Sequence, residues 1–137
     1  MINIRFLNSR KNVQVKARTM REAVKILYAQ AFDFDGAILK DADLSELNLP
    51  GIRLSRTDLT GVNFCRANLE GADLDCAWIK NSNFYFCNLK SAVFDASYIA
   101  LSNFAFAVLD DASFIDARIY GVSFPDSNAN FSNVIWG

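Results

Sequence analysis

The chain contains no histidine, only three cysteines and two prolines, and no apolar run of the length needed to cross a bilayer. Without histidine there is no His-based catalytic pair or triad and no His metal ligand. Cys65, Cys76 and Cys87 fit no metal-binding spacing and are expected to be free thiols in a reducing compartment. The N-terminus also lacks the apolar core of a secretion signal. We therefore expect a cytoplasmic protein without a membrane span, a metal or another cofactor.

The net charge of −1 conceals two regions of opposite sign. Residues 1–31 carry seven basic groups and one acidic group, a net charge of +6. Residues 32–137 carry seven basic and fourteen acidic groups, a net charge of −7. At 137 residues, one compact unit with a basic N-terminal segment is the expected organisation.

A five-residue repeat occupies residues 32–126. Leu, Phe or Ile stands at every fifth position from 34 to 124, nineteen positions without an insertion or deletion, and we call this the centre position. Two residues before it, the residue is mostly small, as in Ala67 and Ala72. Because alternate residues of an extended chain share a face, a spacing of two and then three residues requires a bend in every repeat. An unbroken period this short predicts a solenoid.

A second period, of twenty residues, shows how the solenoid closes. Like residues recur at every twentieth position, which predicts four repeats per coil and four interior columns. Three of these columns are Phe64, Phe84, Phe104 and Phe124; Leu49, Leu69, Leu89 and Leu109; and Ile79, Ile99 and Ile119 after Leu39 and Leu59.

Segments such as Ala42-Asp43-Leu44 and Ala72-Asp73-Leu74 resemble the A(D/N)LXX pattern of the pentapeptide-repeat family. The resemblance covers about 95 residues and implies an all-β solenoid, a right-handed quadrilateral parallel β-helix. The expected organisation is an N-terminal cap at 1–31, the β-helix at 32–126 and an apolar C-terminal tail or cap at 127–137.

The N-terminal segment is predicted to be a small ββα unit. Residues 2–7 alternate apolar and polar side chains, a polar turn follows, and Val13, Val15 and Ala17 continue the alternation. Thr19 to Glu22 form a capping-box sequence that opens a helix to about Ala31. The unit is expected to cover the open end of the solenoid, or alternatively to act as a basic arm for an anionic partner.

After Asp126 the repeat loses its spacing, and Ala129-Asn130-Phe131 resembles a restart two residues late. The apolar tail either folds over the last coil or contacts a second copy of the chain. End-to-end homodimers, which the resemblance implies, favour the second possibility. The residues of this dimer or end cap are Phe131, Val134, Ile135 and Trp136.

Catalysis has little support in the sequence. Glycines 36, 51, 61, 71 and 121 all fall two residues after a centre, which indicates corners rather than a phosphate-binding loop. Carboxylate pairs such as Asp73 and Asp75 flank a centre, where aspartate is common throughout the repeat. We therefore expect no enzymatic activity and no catalytic residues.

Aromatic residues at outward positions are the first candidate for function. They predict a contact surface for a partner protein, unless they cover one another or lie under the tail. The predicted partner-binding residues are Trp78, Tyr85, Phe86, Tyr98, Leu101, Phe106 and Tyr120.

Acidity is the second candidate. The resemblance implies a DNA-mimicking binder, inhibitor or protector of a type II topoisomerase such as DNA gyrase, without direct nucleic-acid binding by the rod. A rod of ~23 Å carrying −7 has about half the charge of DNA of that length, which carries roughly 13–14. Protein binding by a rigid rod is therefore the preferred hypothesis and topoisomerase binding the alternative. The acidic face would comprise Asp73, Asp75, Asp95 and Asp116.

Overall fold

The computed structural model describes residues 1–137 and begins with a β-hairpin followed by a helix. Strand β1 (Ile2–Arg5) pairs antiparallel with β2 (Asn12–Val15), and helix α1 spans Met20–Ala29. Four short strands follow, β3 (Trp78–Lys80), β4 (Tyr98–Ala100), β5 (Arg118–Tyr120) and β6 (Ile135–Trp136), paired in parallel in that order. With ten residues, α1 is too short to span a bilayer, and it is the only helix.

The remaining coils pair through isolated parallel bridges between residues twenty apart. Asp43 bridges to Asn63, and Asn68 bridges to Asn88, as Trp78 does to Tyr98. Each coil therefore takes four repeats, and the chain forms a quadrilateral parallel β-helix. We number its sides by their centres: side 1 (34, 54, 74, 94, 114), side 2 (39, 59, 79, 99, 119), side 3 (44, 64, 84, 104, 124) and side 4 (49, 69, 89, 109).

The corners share one backbone conformation. Every fifth residue from 36 to 121 has a positive φ, whether it is glycine, as at Gly71 (φ 68°), or not, as at Ser91 (φ 57°). At most corners a β-turn bond closes the bend, as where the Ala42 N–H donates to the Leu39 carbonyl at 3.1 Å. The expected bend in every repeat is thus a left-handed residue two positions after the centre. Glycine takes this conformation most readily because it has no Cβ.

Ser91→Gly is therefore expected to raise the free energy of unfolding by about 0.5–1 kcal/mol, because it relieves the left-handed strain at an exposed corner. Ser123→Gly is the matched control at an exposed position without positive φ, and it should lower stability by a similar amount. Urea unfolding of both variants measures the difference. A stability change of the same sign in both variants would contradict the corner assignment.

Stacked rings fill the solenoid. The ring centroids of Phe64 and Phe84 lie 5.2 Å apart and those of Phe84 and Phe104 lie 4.7 Å apart, while Phe124 lies 4.9 Å from Phe104 in a tilted arrangement. The predicted phenylalanine column on side 3 is therefore present. A second stack on side 1, between Phe94 and Phe114 at 4.7 Å, was not predicted from the sequence.

The ββα unit covers the first coil. The Ile38 N–H donates to the Arg5 carbonyl at 2.8 Å and the Leu7 N–H donates to the Gly36 carbonyl at 2.7 Å, so β1 and its extension pair with the edge of the solenoid. Thr19 Oγ1 accepts the Glu22 N–H at 3.1 Å and caps α1. The helix ends at Ala29 rather than near Ala31, because Ala31 takes a left-handed conformation (φ 54°) and turns the chain into the first coil.

The final coil is three residues shorter than the others. Asn130 bridges to Ser113 and Ile135 to Arg118, a separation of seventeen residues, so the restart occurs on side 1. As a result, Phe131 stacks on Phe114 at 4.8 Å. The tail folds over the last coil, while Trp136 remains 56% exposed at its end. Dimerisation through this end stays a prediction.

Candidate functional site

Two large apolar residues project from consecutive corners of one coil. Leu101 stands at the corner between sides 2 and 3, and Phe106 stands at the corner between sides 3 and 4. Both have positive φ, 51° and 59°. A corner side chain points away from the coil and cannot join the interior column, and Leu101 and Phe106 are 60% and 65% exposed. Side 3 is therefore flanked by apolar projections.

The projection at the corner between sides 3 and 4 is a small aromatic pile. Phe86 and Phe106 stack with centroids 4.9 Å apart and planes 12° apart, and Tyr85 packs edge-on against Phe86 at 4.7 Å. The Arg66 guanidinium lies 5.4 Å from the Phe86 centroid and 5.5 Å from that of Tyr85. Since residues 66, 86 and 106 are twenty apart, the pile begins with a cation and continues through two rings. Sequence reasoning missed Arg66.

The aromatic residues of side 2 form a second set. Trp78 and Tyr98 stack at 4.1 Å with planes 12° apart, because the pairing of β3 with β4 places them opposite each other. Tyr120, one coil further, lies 5.6 Å from Tyr98 in a tilted arrangement. Leu101 leans over Gly121, where an added Cβ would lie 2.9 Å from Leu101 Cδ2. Leu101 thus fills the space above a glycine corner.

A groove of about 670 Å³ lies on side 3 between the two sets. Leu101 and Phe106 form its rims, and Pro125 closes it towards the end of the solenoid. Its remaining lining consists of the centre residues Phe104 and Phe124 together with small or polar residues, namely Ser102, Asn103, Ala105, Gly121 and Ser123. The structure therefore divides the seven predicted partner-binding residues into two sets on either side of a groove. The residues of its floor gave no signal in the sequence because they are ordinary for the repeat.

The predicted acidic residues lie together on side 1 and its following corner. Asp73, Asp75 and Asp95 flank centres of side 1, and Asp116 stands at the corner to side 2. Ser55 Oγ donates to an Asp75 oxygen, and the Ile115 N–H donates to Asp95 at 3.0 Å. These hydrogen bonds run between neighbouring coils, so part of the acidity of this side is used in holding the coils together.

Two arginines, which sequence reasoning did not place, interrupt the acidic side. Arg56 Nε donates to Asp35 Oδ1 at 2.8 Å and its Nη2 donates to Oδ2, so the pair is bidentate. Arg53 Nη1 lies 3.9 Å from Asp33 Oδ2. The Arg56 hydrogen bond lowers the pKa of Asp35. The first coils of side 1 therefore present paired charges rather than a continuous negative strip.

Asp73 and Asp75 contact each other on this side, and their pKa values shift in opposite directions. Burial and the contact with Asp75 raise the pKa of Asp73, while hydrogen bonds from Asp73 and Ser55 lower the pKa of Asp75. No three side chains of the acidic and cysteine residues gather in a metal-binding arrangement. The three cysteines are free thiols, with Cys76 exposed and Cys87 buried, and burial raises the pKa of Cys87.

The fold and this sequence pattern define a class of repeat solenoid. The family described as Pentapeptide repeats (8 copies) matches residues 37–75, 48–85 and 87–124, which together are more than half of the chain. The chain belongs to the pentapeptide repeat family, and the fold class expected from the resemblance is confirmed. No curated protein matches the sequence.

Several solved structures resemble the chain at low identity. The pentapeptide repeat protein Rfr23 from the cyanobacterium Cyanothece 51142 is 21% identical, with a TM-score of 0.56 over 73% of this chain and 60% of its own. Alr5209 from Nostoc PCC 7120 is 25% identical, with a TM-score of 0.42 over 90% of this chain and 100% of its own. QnrB1, a plasmid-mediated fluoroquinolone resistance protein, is 18% identical, with a TM-score of 0.42 over 75% of this chain and 59% of its own. Rfr23 shows the same fold, and the chain spans about three-fifths of its length.

Proposed function

We propose that this chain is a rigid, non-catalytic scaffold that binds a partner protein through the groove of side 3 and the aromatic sets on its two flanks. We call this region the aromatic surface, and it consists of the groove residues together with Trp78, Tyr85, Phe86, Tyr98, Leu101, Phe106 and Tyr120. The observation that carries the proposal is the exposure of large apolar side chains at both rims of the groove. Clustered apolar surface of this kind is typical of protein contact sites.

Packing within the chain accounts for only part of this surface. Trp78 stacks on Tyr98 and is still 47% exposed, and Phe106 stacks on Phe86 and is still 65% exposed. The tail reaches the surface at one point, where Gly137 lies against the Tyr120 ring. The aromatic residues of the tail pack on the open end of the solenoid. These contacts favour a partner over self-coverage as the reason for the exposed residues.

The scaffold geometry suits such a role. The backbone under the aromatic surface is held by hydrogen bonds between coils, such as Phe84 N–H to the Asn103 carbonyl at 2.7 Å and Phe86 N–H to the Ala105 carbonyl at 3.1 Å. A pre-organised contact surface loses little conformational entropy on binding. Most of the free energy gained by burying the aromatic side chains is therefore available for affinity.

Capture of partner proteins from cells of the native host by immobilised protein tests the proposal. Trp78→Ala and Phe106→Ala should each reduce the amount of a specific partner by on the order of 10–100-fold, as expected for central aromatic contact residues. Both changes suit the backbone, since Trp78 lies in a strand and alanine already occupies a left-handed corner at Ala96.

The matched control is Leu7→Ala, which removes an exposed apolar side chain from the opposite end of the molecule. Capture should remain unchanged in this variant, and circular dichroism should show that all three variants are folded. Equal capture by wild type and both surface variants would overturn the proposal.

Binding to a type II topoisomerase by DNA mimicry remains the alternative, with weaker support. It requires a dense strip of negative charge, and on side 1 Arg53 and Arg56 pair with Asp33 and Asp35. Asp95 is also engaged by Ser113 and Ile115. The aromatic surface has no function in a DNA-mimicking rod, which is a further reason to prefer the first proposal.

A further inference from the structure

The aromatic pile beside the groove is covered by a cation at one end and is exposed at the other. At its first end, the Arg66 guanidinium lies against the rings of Tyr85 and Phe86. At its other end is Phe106, whose aromatic partners, Tyr85 and Phe86, both belong to the preceding coil. Phe106 is 65% exposed. The molecule thus shows that this pile accepts a guanidinium, and its outer ring remains open to a second one.

The segment of the chain that contains Phe106 and the groove is acidic. Beyond residue 90 the chain carries five aspartates and one basic residue, Arg118. Four of these aspartates, Asp110, Asp111, Asp116 and Asp126, are exposed, and Asp126 follows Pro125, which lines the groove with Phe106. A cation placed on the ring would therefore lie in a segment of net negative charge, close to the groove residue that precedes Asp126.

We propose that the groove binds a protein segment in which an arginine neighbours an apolar side chain. The guanidinium stacks on the open face of Phe106 beside Asp126, and the apolar side chain enters the groove between Leu101 and Pro125. This inference rests on the proposed function and specifies the chemistry of the partner. The bound segment is expected to be basic and apolar because the rim of the groove is aromatic and apolar while this segment of the chain is acidic.

The test is an NMR titration of the full-length protein with a capped synthetic pentapeptide of alternating leucine and arginine. Amide shifts should be confined to residues 101–106 and 121–126. A peptide with glutamate in place of arginine should not bind, and a peptide with lysine in place of arginine should bind more weakly, because the planar guanidinium stacks on the ring.

Phe106→Leu should weaken binding of the leucine–arginine peptide by about threefold to tenfold, the range of a cation–π contact. Leucine suits this corner because Leu101 holds the same left-handed conformation. Leu7→Ala is the matched control, since Leu7 is an exposed apolar residue at the opposite end of the molecule, and it should leave peptide affinity unchanged.

Several results would overturn the inference: no binding of the arginine peptide, equal binding of the glutamate peptide, or an unchanged affinity in Phe106→Leu. Self-association that is lost in Phe106→Leu, without peptide binding, would assign the groove to a second copy of the chain instead. If partner capture depends on Trp78 and Phe106 but the peptide does not bind, the proposed function stands and this inference fails. If the peptide binds in the groove but partner capture is insensitive to both residues, the peptide site stands and the proposed function fails.

Discussion

Phe84→Ala is expected to lower the free energy of unfolding by about 3–5 kcal/mol. Phe84 is fully buried, with the rings of Phe64 and Phe104 stacked on its two faces and Phe94 edge-on at 6.1 Å. Removing the ring leaves a cavity between two coils that are held at fixed spacing by backbone hydrogen bonds. The neighbouring rings therefore have little freedom to fill it.

The matched control for this prediction is Phe86→Ala, two residues along the chain. Phe86 also stacks between neighbours, but it does so on the outside of the coil, so its loss should cost only about 0.5–1.5 kcal/mol. Urea unfolding followed by circular dichroism gives both values. Equal losses in the two variants would show that the side 3 column is not the core of the solenoid.

Deletion of residues 1–31 is the second change with a large expected effect. It removes the burial of Ile4, Phe6, Val24 and Leu27 among others, about 8–15 kcal/mol of gross hydrophobic stabilisation, comparable to the whole stability of a typical domain. It also unpairs the first coil, whose Ile38 N–H donates to β1 in the intact chain. The exposed strand edge should then pair with other chains.

Analytical ultracentrifugation of the truncated chain measures this effect. We expect higher oligomers or aggregates of the truncated chain. The intact chain at the same concentration should sediment as nothing larger than the dimer predicted through its C-terminal end. A truncated chain that stays soluble with the thermal stability of the intact protein would contradict the capping role of the ββα unit. A basic arm without a capping function would give that result.

The coil geometry could be predicted because it depends on one repeated requirement. The alternation of a small residue, a centre and a three-residue gap repeats without interruption from Phe34 to Phe124, and the twenty-residue recurrence of phenylalanine fixed the number of repeats per coil. Each of these signals involves short spacings in the chain. A single repeat with atypical residues therefore does not change the period that the neighbouring repeats define.

The rest depends on contacts that the repeat does not encode. The bidentate pair of Arg56 with Asp35 joins residues twenty-one apart through a long side chain, and nothing in the repeat specifies that direction. The groove arises where two corner residues, Leu101 and Phe106, are large while the side between them is small. The shortening before Phe131 was visible in the sequence as a lost spacing. The stacking of Phe131 on Phe114 was not.

Hydroxyl-radical footprinting of the complex with a captured partner tests the central claim most directly, because tryptophan, tyrosine and phenylalanine side chains report their own exposure. We predict that oxidation of Trp78, Tyr85 and Phe106 falls on complex formation, while oxidation of Tyr28, a partly exposed residue of helix α1 in the N-terminal cap, is unchanged. Protection of Tyr28 with no change at Phe106 would place the partner at the N-terminal cap and contradict the proposal that the aromatic surface is the binding site.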